Sequence, residues 1–260
     1  MTYNRKRNWW PDRRAFLRTA STAVSGCCTL FGGCADEPRP RYGSTGAESY
    51  AYPFIDYWTP EAVAARLERL TLLGTIPPLD QDVAAAQAII ARAPSSSPLD
   101  VMRYFAGITQ VGSTGERFNS RWTKYENPVI VWFFHATQTR PNGDCTSWCA
   151  AFLSWCLERC GLPSMQSASS QDYAHYGKEI QTPLAGDVVV FQDVGDPAHG
   201  HVALLVSQSA DQIEVIGGNQ GSGSVIPNCP PGFPVTTISV AWRERSGDHG
   251  QRIRTYRRYA

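Results

Sequence analysis

Hydrophobic residues follow two different periods along this chain, a helical one in the first part and a strand-like one in the second. In the first part, apolar residues recur every three or four positions, and polar caps or prolines mark the starts of the segments. Asp80 or Asp82 is expected to cap the second helix, and Gly161 and Pro163 end the strongest one. The pattern predicts helices over residues 59–73, 80–93, 97–108, 127–136 and 147–160.

Short apolar runs bounded by Gly, Asn or Asp dominate the rest of the chain, and runs of this length are typical of buried strands. They predict strands over residues 188–191, 201–206, 213–216, 236–242 and 252–256. A group of helices followed by a group of strands indicates an α+β fold, in which the helices pack against an antiparallel sheet.

The N-terminal region carries an export pattern. Arg13 and Arg14, followed by Phe16-Leu17 and a mildly apolar stretch, resemble a twin-arginine signal. No apolar run reaches the roughly 18 residues of a permanent membrane span. A lipobox-like sequence ends at Cys27 and a poorer match at Cys34, which leaves lipid attachment and ordinary cleavage both open. We therefore expect an exported protein of the periplasm or cell envelope, either lipid-anchored or free.

The same patterns divide the chain into four parts. Residues 1–34 are expected to be the signal, and residues 35–50 a flexible linker rich in Pro, Gly and Ser. Residues 51–97 form an N-terminal helical segment, and residues 98–260 form the domain that carries the candidate chemistry.

Composition narrows the class of partner and predicts a free thiol. The formal net charge is +1, which gives no electrostatic argument for binding nucleic acid. Three of the 8 cysteines lie in the predicted signal, which leaves five. Disulfides persist in exported proteins, and an odd count leaves at least one thiol unpaired within the monomer.

Cys149 lies where a reactive thiol is expected, near the start of the strongest predicted helix. The helix dipole and the unpaired N–H groups of a first turn favour a thiolate. The same N–H groups can bind the oxyanion that forms when an amide carbonyl is attacked. His201 opens an apolar strand and can act as the base, and Asn219, at the end of the next strand, can orient the imidazole.

Four short blocks resemble the CHAP family of cysteine- and histidine-dependent amidohydrolases or peptidases, in the order found in that family. The blocks are Trp148-Cys149-Ala150-Ala151-Phe152, Gly186-Asp187-Val188, Gly200-His201-Val202 and Gly217-Gly218-Asn219-Gln220. The resemblance covers about residues 98–258 and implies a papain-like fold, with helices packed against an antiparallel sheet or half-barrel.

The resemblance also implies an activity and a set of site residues. The activity is hydrolysis of amide bonds in peptidoglycan without a cofactor, either within the stem peptide or at N-acetylmuramoyl-L-alanine. Cys149 takes the place of the nucleophile, His201 that of the base and Asn219 that of the orienting group. Trp148 and Gln220, beside them, are expected to contact the substrate.

One position departs from the family pattern. Many CHAP enzymes carry a glutamate two residues before the asparagine, where this chain has Gly217. This leaves the identity of the third group open. It also keeps open a catalytically inactive wall-binding or scaffolding protein, and an exported effector or phage-type lysin is a further alternative. The sequence gives no indication of an oligomeric state.

Cys145 and His199 are rivals for the nucleophile and the base. The Asp-Cys-Thr sequence at Cys145 also resembles a nucleophile motif. However, Gly161 follows Cys149 by 12 residues, as expected for NlpC-like relatives, and follows Cys145 by 16. Cys145 could instead form a disulfide, with Cys229 as one candidate partner. His199 is expected in the loop before the strand of His201.

The remaining cysteines do not predict a metal site. Cys156 and Cys160 are expected to line the core or to join a disulfide with another element. The cysteines of this segment lack paired Cys-x-x-Cys spacing, and ligands spread along about 22 Å of helix cannot meet at one ion.

Overall fold

The computed structural model describes residues 78–138, 144–221, 223–226, 229 and 233–259. The predicted signal, the linker and the predicted helix over residues 59–73 lie outside these ranges. Those three expectations therefore stay predictions.

Four α-helices occur in the described residues, each within a few residues of a predicted one. They are α1 Asp80–Arg92, α2 Pro98–Ala106, α3 Pro128–Phe133 and α4 Cys149–Arg159, with 3₁₀ turns at Phe134–Ala136 and Ser170–His175. Two of the starts follow from local chemistry. The Ser97 hydroxyl accepts the N–H of Asp100, and the Asn127 side chain accepts that of Val129. In both helices a proline occupies the first turn, where its missing N–H costs nothing.

The predicted cap of α1 is wrong. Leu79 occupies the N-cap position, and no side chain makes a capping hydrogen bond there. The Asp82 carboxylate is buried and accepts hydrogen bonds from the backbone N–H and the hydroxyl of Ser113. The tertiary fold thus places Ser113 against a carboxylate that the local sequence pattern predicts as a helix cap.

The described strands form one antiparallel sheet. They are β1 Lys178–Glu179, β2 Val188–Asp193, β3 Gly200–Gln208, β4 Gln212–Gln220, β5 Thr237–Glu244 and β6 Gln251–Arg258. Their order across the sheet is β1-β6-β2-β3-β4-β5, and every neighbouring pair is antiparallel. The predicted α+β fold, with helices against an antiparallel sheet, is confirmed and is compatible with a papain-like arrangement. The two-residue β1 is an element that the sequence pattern does not predict.

An aromatic cluster fixes the helices on one face of the sheet. Helix α4 packs on β3 and β4, and α2 packs on β4 and β5. Phe105 of α2 meets the rings of Phe133, Phe152 and Trp155 edge-on or nearly so, with centroids 5.2, 5.7 and 5.5 Å away. Such contacts bury large apolar areas, so the start of α4 has a fixed position relative to the strands. Each helix in the described part is too short or too polar to cross a bilayer.

The other face of the sheet carries a second apolar cluster. Successive side chains of a strand point to opposite faces, so His201 shares a face with Ala203 and Leu205. The cluster consists of Val189, Phe191, Ala203, Leu205, Ile213 and Val215, with Ile253 and Tyr256 packed against it. The ladder between β3 and β4 stops at the pair Leu204–Ile216. The strand ends that carry His201 and Asn219 are therefore not paired with each other.

Candidate active site

The Cys149 thiol lies at the first residue of α4, in contact with the part of β3 that pairs with β2 but not with β4. It is a free cysteine, and its side chain is buried. Its sulfur accepts the backbone N–H of Val202, the neighbour of His201, and those of Cys149 and Ala150 at the helix start. Burial raises the pKa of Cys149, and these N–H groups act in the opposite direction. The thiol is therefore neutral in the resting site.

Cys145 is excluded as the nucleophile. It forms a disulfide with Cys229, with the Cα atoms 5.4 Å apart, as one of the predicted alternatives has it. Cys156 and Cys160 are free. Cys156 is buried within α4 and Cys160 follows its last residue, so both belong to the packing of the helix and not to its start.

The loop before α4 is tied to the loop before β5. The disulfide makes one link. The buried Arg121 guanidinium makes another, because it donates to the carbonyl of Thr146 and to that of Pro234, the latter at 2.9 Å. These bonds join the backbone before Cys149 to a segment more than eighty residues further along the chain. The position of the thiol is thereby set from outside its own helix.

Asp144 adds a buried charge to the same loop. One carboxylate oxygen accepts the N–H of Asn127 at 3.1 Å, and the other has no partner among the described residues. Burial raises the pKa of Asp144 to about 6, and the positive charge of Arg121 lowers it in part. The carboxyl is thus close to its titration range at neutral pH.

A chain of hydrogen bonds connects Trp148 to Asn219. The Trp148 indole N–H donates to the Thr236 hydroxyl at 3.2 Å, and that hydroxyl donates to the Asn219 side-chain oxygen at 2.8 Å. Trp148 is fully buried. The indole packs beneath the site, so Trp148 has no exposed surface for the predicted contact with a substrate. Asn219, predicted to orient His201, instead has Thr236 as its partner.

His201 lies at the start of β3, 5% exposed, with its ring centroid 6.0 Å from that of Phe191. Burial lowers the pKa of His201 to about 3, and the positive charge of Arg243 contributes to the decrease. Arg243 also contacts Phe191, with its guanidinium carbon 5.6 Å from the centroid of that ring. The imidazole is therefore neutral over the ordinary pH range.

Two adjacent glycines of β4 allow close packing, Gly218 against α4 and Gly217 against His201. A Cβ atom on Gly218 would lie 2.8 Å from Cε3 of Trp148 and 2.9 Å from Cδ1 of Phe152. A Cβ atom on Gly217 would lie 3.4 Å from Nε2 of His201. Gly218 thus lets the strand approach α4, and Gly217 leaves space for the ring on the opposite face.

Gln220 is buried at the end of β4, 2% exposed, and offers no free surface to a substrate. Its side-chain amide donates to the carbonyls of Ser239 and Gly217. His199 lies in the loop before β3, with Nδ1 2.7 Å from the Asp196 carboxylate, and is well exposed. The rival base is thus on the surface, as expected for a loop residue, and paired with an aspartate.

The structure brings Cys149 and His201 to the same strand end through the Val202 N–H. No hydrogen bond between the thiol and the imidazole is formed in the described resting site, and Nε2 of His201 is buried without a partner. Sequence reasoning missed Arg121, Asp144, Thr236 and Arg243. Their roles depend on contacts between distant segments, and only Asp144, next to Cys145, lies close to a motif.

Comparison with known families gives one match. Residues 140–219 match the model of the CHAP domain, which confirms the resemblance predicted from the sequence blocks. The matched residues include Cys149, His201 and Asn219. No curated protein and no solved structure matches the chain. A CHAP domain indicates a hydrolase of the amidase or peptidase type that acts on peptidoglycan.

Proposed function

We propose, with this CHAP domain as the premise, that the protein hydrolyses amide bonds of bacterial peptidoglycan, with Cys149 as the nucleophile and His201 as the base. The observation that supports the proposal best is the position of the thiol. It lies at the first residue of α4 and is hydrogen-bonded to the N–H of Val202, directly beside His201. A nucleophile at a helix start, beside a strand that carries an imidazole, is the arrangement that thiol hydrolysis requires. Because the imidazole lies on the other face of β3 in the resting structure, the proposal requires it to reach the sulfur around the end of the strand.

The mechanism starts from a neutral thiol and a neutral imidazole. Burial raises the pKa of Cys149 and lowers that of His201, so an ion pair is not the resting state. His201 takes the proton of Cys149 as the sulfur attacks the amide carbonyl. The backbone N–H groups at the start of α4 stabilise the oxyanion. His201 then passes the proton to the leaving amine, which leaves an acyl group on the sulfur.

Hydrolysis of the thioester completes the cycle. A water molecule gives its proton to His201 as it attacks the acyl carbonyl, and the thiol is regenerated when the proton returns to sulfur. The bond that is cut lies in the wall stem peptide or joins that peptide to the sugar. The enzyme is then an endopeptidase in the first case and an N-acetylmuramoyl-L-alanine amidase in the second.

The proposal includes export to the cell envelope. The support is the twin-arginine pattern at Arg13 and Arg14 and the cysteines at positions 27 and 34. The Cys145–Cys229 disulfide agrees with an oxidising compartment, where such bonds persist.

Digestion of purified peptidoglycan tests the activity. The mature protein, Cys149→Ala and Cys156→Ala are incubated with the wall, and mass spectrometry identifies the released muropeptides. Cys156 is the matched control, because it is a free buried thiol of the same helix but lies two turns from its start. We expect digestion by the first and third proteins only. Equal digestion by Cys149→Ala would overturn the assignment of the nucleophile.

The second candidate function is a wall-binding protein without activity. The observation that favours it is Gly217, at the position where many CHAP enzymes carry a glutamate. Co-sedimentation with peptidoglycan decides between the two functions in the same experiment. Binding with no muropeptide release by the mature protein supports the inactive alternative, and release supports the hydrolase.

A further inference from the structure

The end of β4 contains one residue more than its partner strand. Gly217 pairs with Ser239 and Gln220 pairs with Thr237, so the step from 217 to 220 in β4 matches the step from 239 to 237 in β5. Asn219, inside this step, has a left-handed backbone with φ of 62°. An extra residue of this kind redirects the side chains that follow it. Gln220 therefore reaches the face of Gly217 instead of the opposite face.

Two hydrogen bonds fix the orientation of the Gln220 amide. Its nitrogen donates to the carbonyl of Ser239 at 2.6 Å and to that of Gly217 at 3.3 Å. Carbonyl oxygens only accept, so the amide cannot be turned over without losing both bonds. Its oxygen Oε1 therefore points away from them. This atom is buried and has no hydrogen-bond partner among the described residues.

The imidazole of His201 presents a matching atom at the same place. Nε2 is buried and also without a hydrogen-bond partner in the described residues. It lies 3.4 Å from the position that a Cβ atom on Gly217 would take. An acceptor and a ring nitrogen, both buried and both unsatisfied, thus lie against the same glycine. Buried polar atoms are rarely left unpaired.

We infer that Gln220 is a positioning residue, whose Oε1 accepts the Nε2–H of His201 and so keeps Nδ1 unprotonated to receive the proton of Cys149. The effect on proton transfer rests on the proposed function, whereas the hydrogen bond itself does not. Burial has the larger effect on the pKa of His201 and lowers it, whereas hydrogen bonding by Gln220 raises it. The two atoms do not form a hydrogen bond of ideal geometry in the resting structure.

Asn219 does not compete for this role. Its side-chain oxygen already accepts the Thr236 hydroxyl, which in turn accepts the Trp148 indole N–H. Asn219 is therefore bound to the residues that support the thiol. Gln220, predicted from the sequence as a substrate contact, is the residue that faces the imidazole.

Nitrogen-15 NMR of the histidine rings tests the inference without any turnover. The parent is the Cys149→Ala protein, and the His201 signals are those that disappear in a Cys149→Ala/His201→Gln protein. We expect the Nε2–H tautomer in the parent. Gln220→Leu removes the acceptor and should shift His201 toward the Nδ1–H tautomer, whereas Asn219→Ala, the matched control, should leave the tautomer unchanged.

The outcomes separate this inference from the hydrolase proposal. An Nδ1–H tautomer in the parent, or no change in Gln220→Leu, overturns the role of Gln220 and leaves the hydrolase proposal standing. If Gln220→Leu fails to fold, the tautomer of the parent still decides. In the active enzyme, Gln220→Leu should lower kcat by about 100-fold with little change in KM, because a misplaced base slows the chemical step. A rise in KM with an unchanged kcat would instead indicate that Gln220 contacts the substrate.

Discussion

The thiol and the imidazole of the candidate site are held in place by different means. The loop that leads to Cys149 is anchored by three long-range links, namely the disulfide of Cys145, the bonds of Arg121 and the indole of Trp148. His201 is placed by the space over Gly217 and, by the inference above, by the buried Gln220 amide. Changes on the thiol side should therefore affect mainly stability, whereas changes on the imidazole side should affect mainly the chemistry.

The largest effect on stability is expected from the disulfide. Replacing both Cys145 and Cys229 by serine releases a closed loop with a sequence separation of 84. The chain-entropy model gives a loss of about 4.5 kcal/mol in the free energy of unfolding, and measured losses are typically about 2–5 kcal/mol. Urea unfolding measures it. A loss below about 1 kcal/mol would show that Arg121 and Trp148 hold the loop by themselves.

The second effect depends on pH and concerns the buried carboxyl of Asp144. Its pKa in the folded protein is about 6, above the ordinary value of 3.8, so the folded state binds more protons between these values. Stability is therefore lost as the pH rises through this range, by at most about 3 kcal/mol. Asp144→Asn removes the loss. Its stability relative to the wild type should thus be higher at about pH 7.5 than at about pH 4.

Asp100→Asn is the control of opposite sign, because hydrogen bonds from Ser97 and Ser96 lower the pKa of the exposed Asp100. Its stability relative to the wild type should be only slightly lower at the higher pH, because Asp100 titrates mostly below about pH 4. His201 is neutral in the folded state over this range and becomes protonated only in the unfolded state, so its contribution is the same in both Asp variants and in the wild type and cancels in each difference. The same relative stability of Asp144→Asn at both pH values would contradict a raised pKa.

The two glycines give the most direct comparison of the two sides. Gly218→Ala places a methyl group against the buried Trp148 and Phe152, and overpacking of this kind costs about 1–3 kcal/mol. Gly217→Ala meets the Ala203 Cβ at 3.1 Å and the His201 ring at 3.4 Å, so the loss should be smaller. Thermal melting measures the first effect, and the NMR signals of His201 should move only in the second variant. A larger loss of stability in Gly217→Ala than in Gly218→Ala would contradict this division between the thiol side and the imidazole side.

The smallest effect is expected from Arg243. Its positive charge helps to lower the pKa of His201, so Arg243→Gln should raise that pKa, as measured by NMR titration. The low-pH limb of kcat/KM moves upward with it, since the base must be neutral. Arg245→Gln is the control, because that guanidinium binds Ser209 and Gln208 instead. An equal shift in both variants would point to a general charge effect.

Local signals in the sequence predicted most of the fold. Ser97 and Asn127 start their helices with their own side chains, and the apolar run after Asp187 forms β2 as expected. Where a side chain found a distant partner, the prediction failed. Asp82 binds Ser113, 31 residues away, and therefore does not cap its helix.

The candidate site divides in the same way. The position of Cys149 follows from helix periodicity and from the spacing to Gly161, both readable in the sequence. The side chain that faces His201 depends on a register shift between β4 and β5 and on the left-handed backbone of Asn219. A one-residue shift moves a side chain to the other face of a sheet, and periodicity alone does not reveal it.

The disulfide also has a topological consequence. Cys149, His201 and Gln220 all lie between Cys145 and Cys229 in the sequence, so one covalent ring encloses every group assigned to the chemistry. A single proteolytic cut within that ring opens it without releasing a fragment, because the two new ends remain joined through sulfur. With the proposed export, a nick in a surface loop by a foreign protease would thus leave the thiol and the imidazole on one connected molecule.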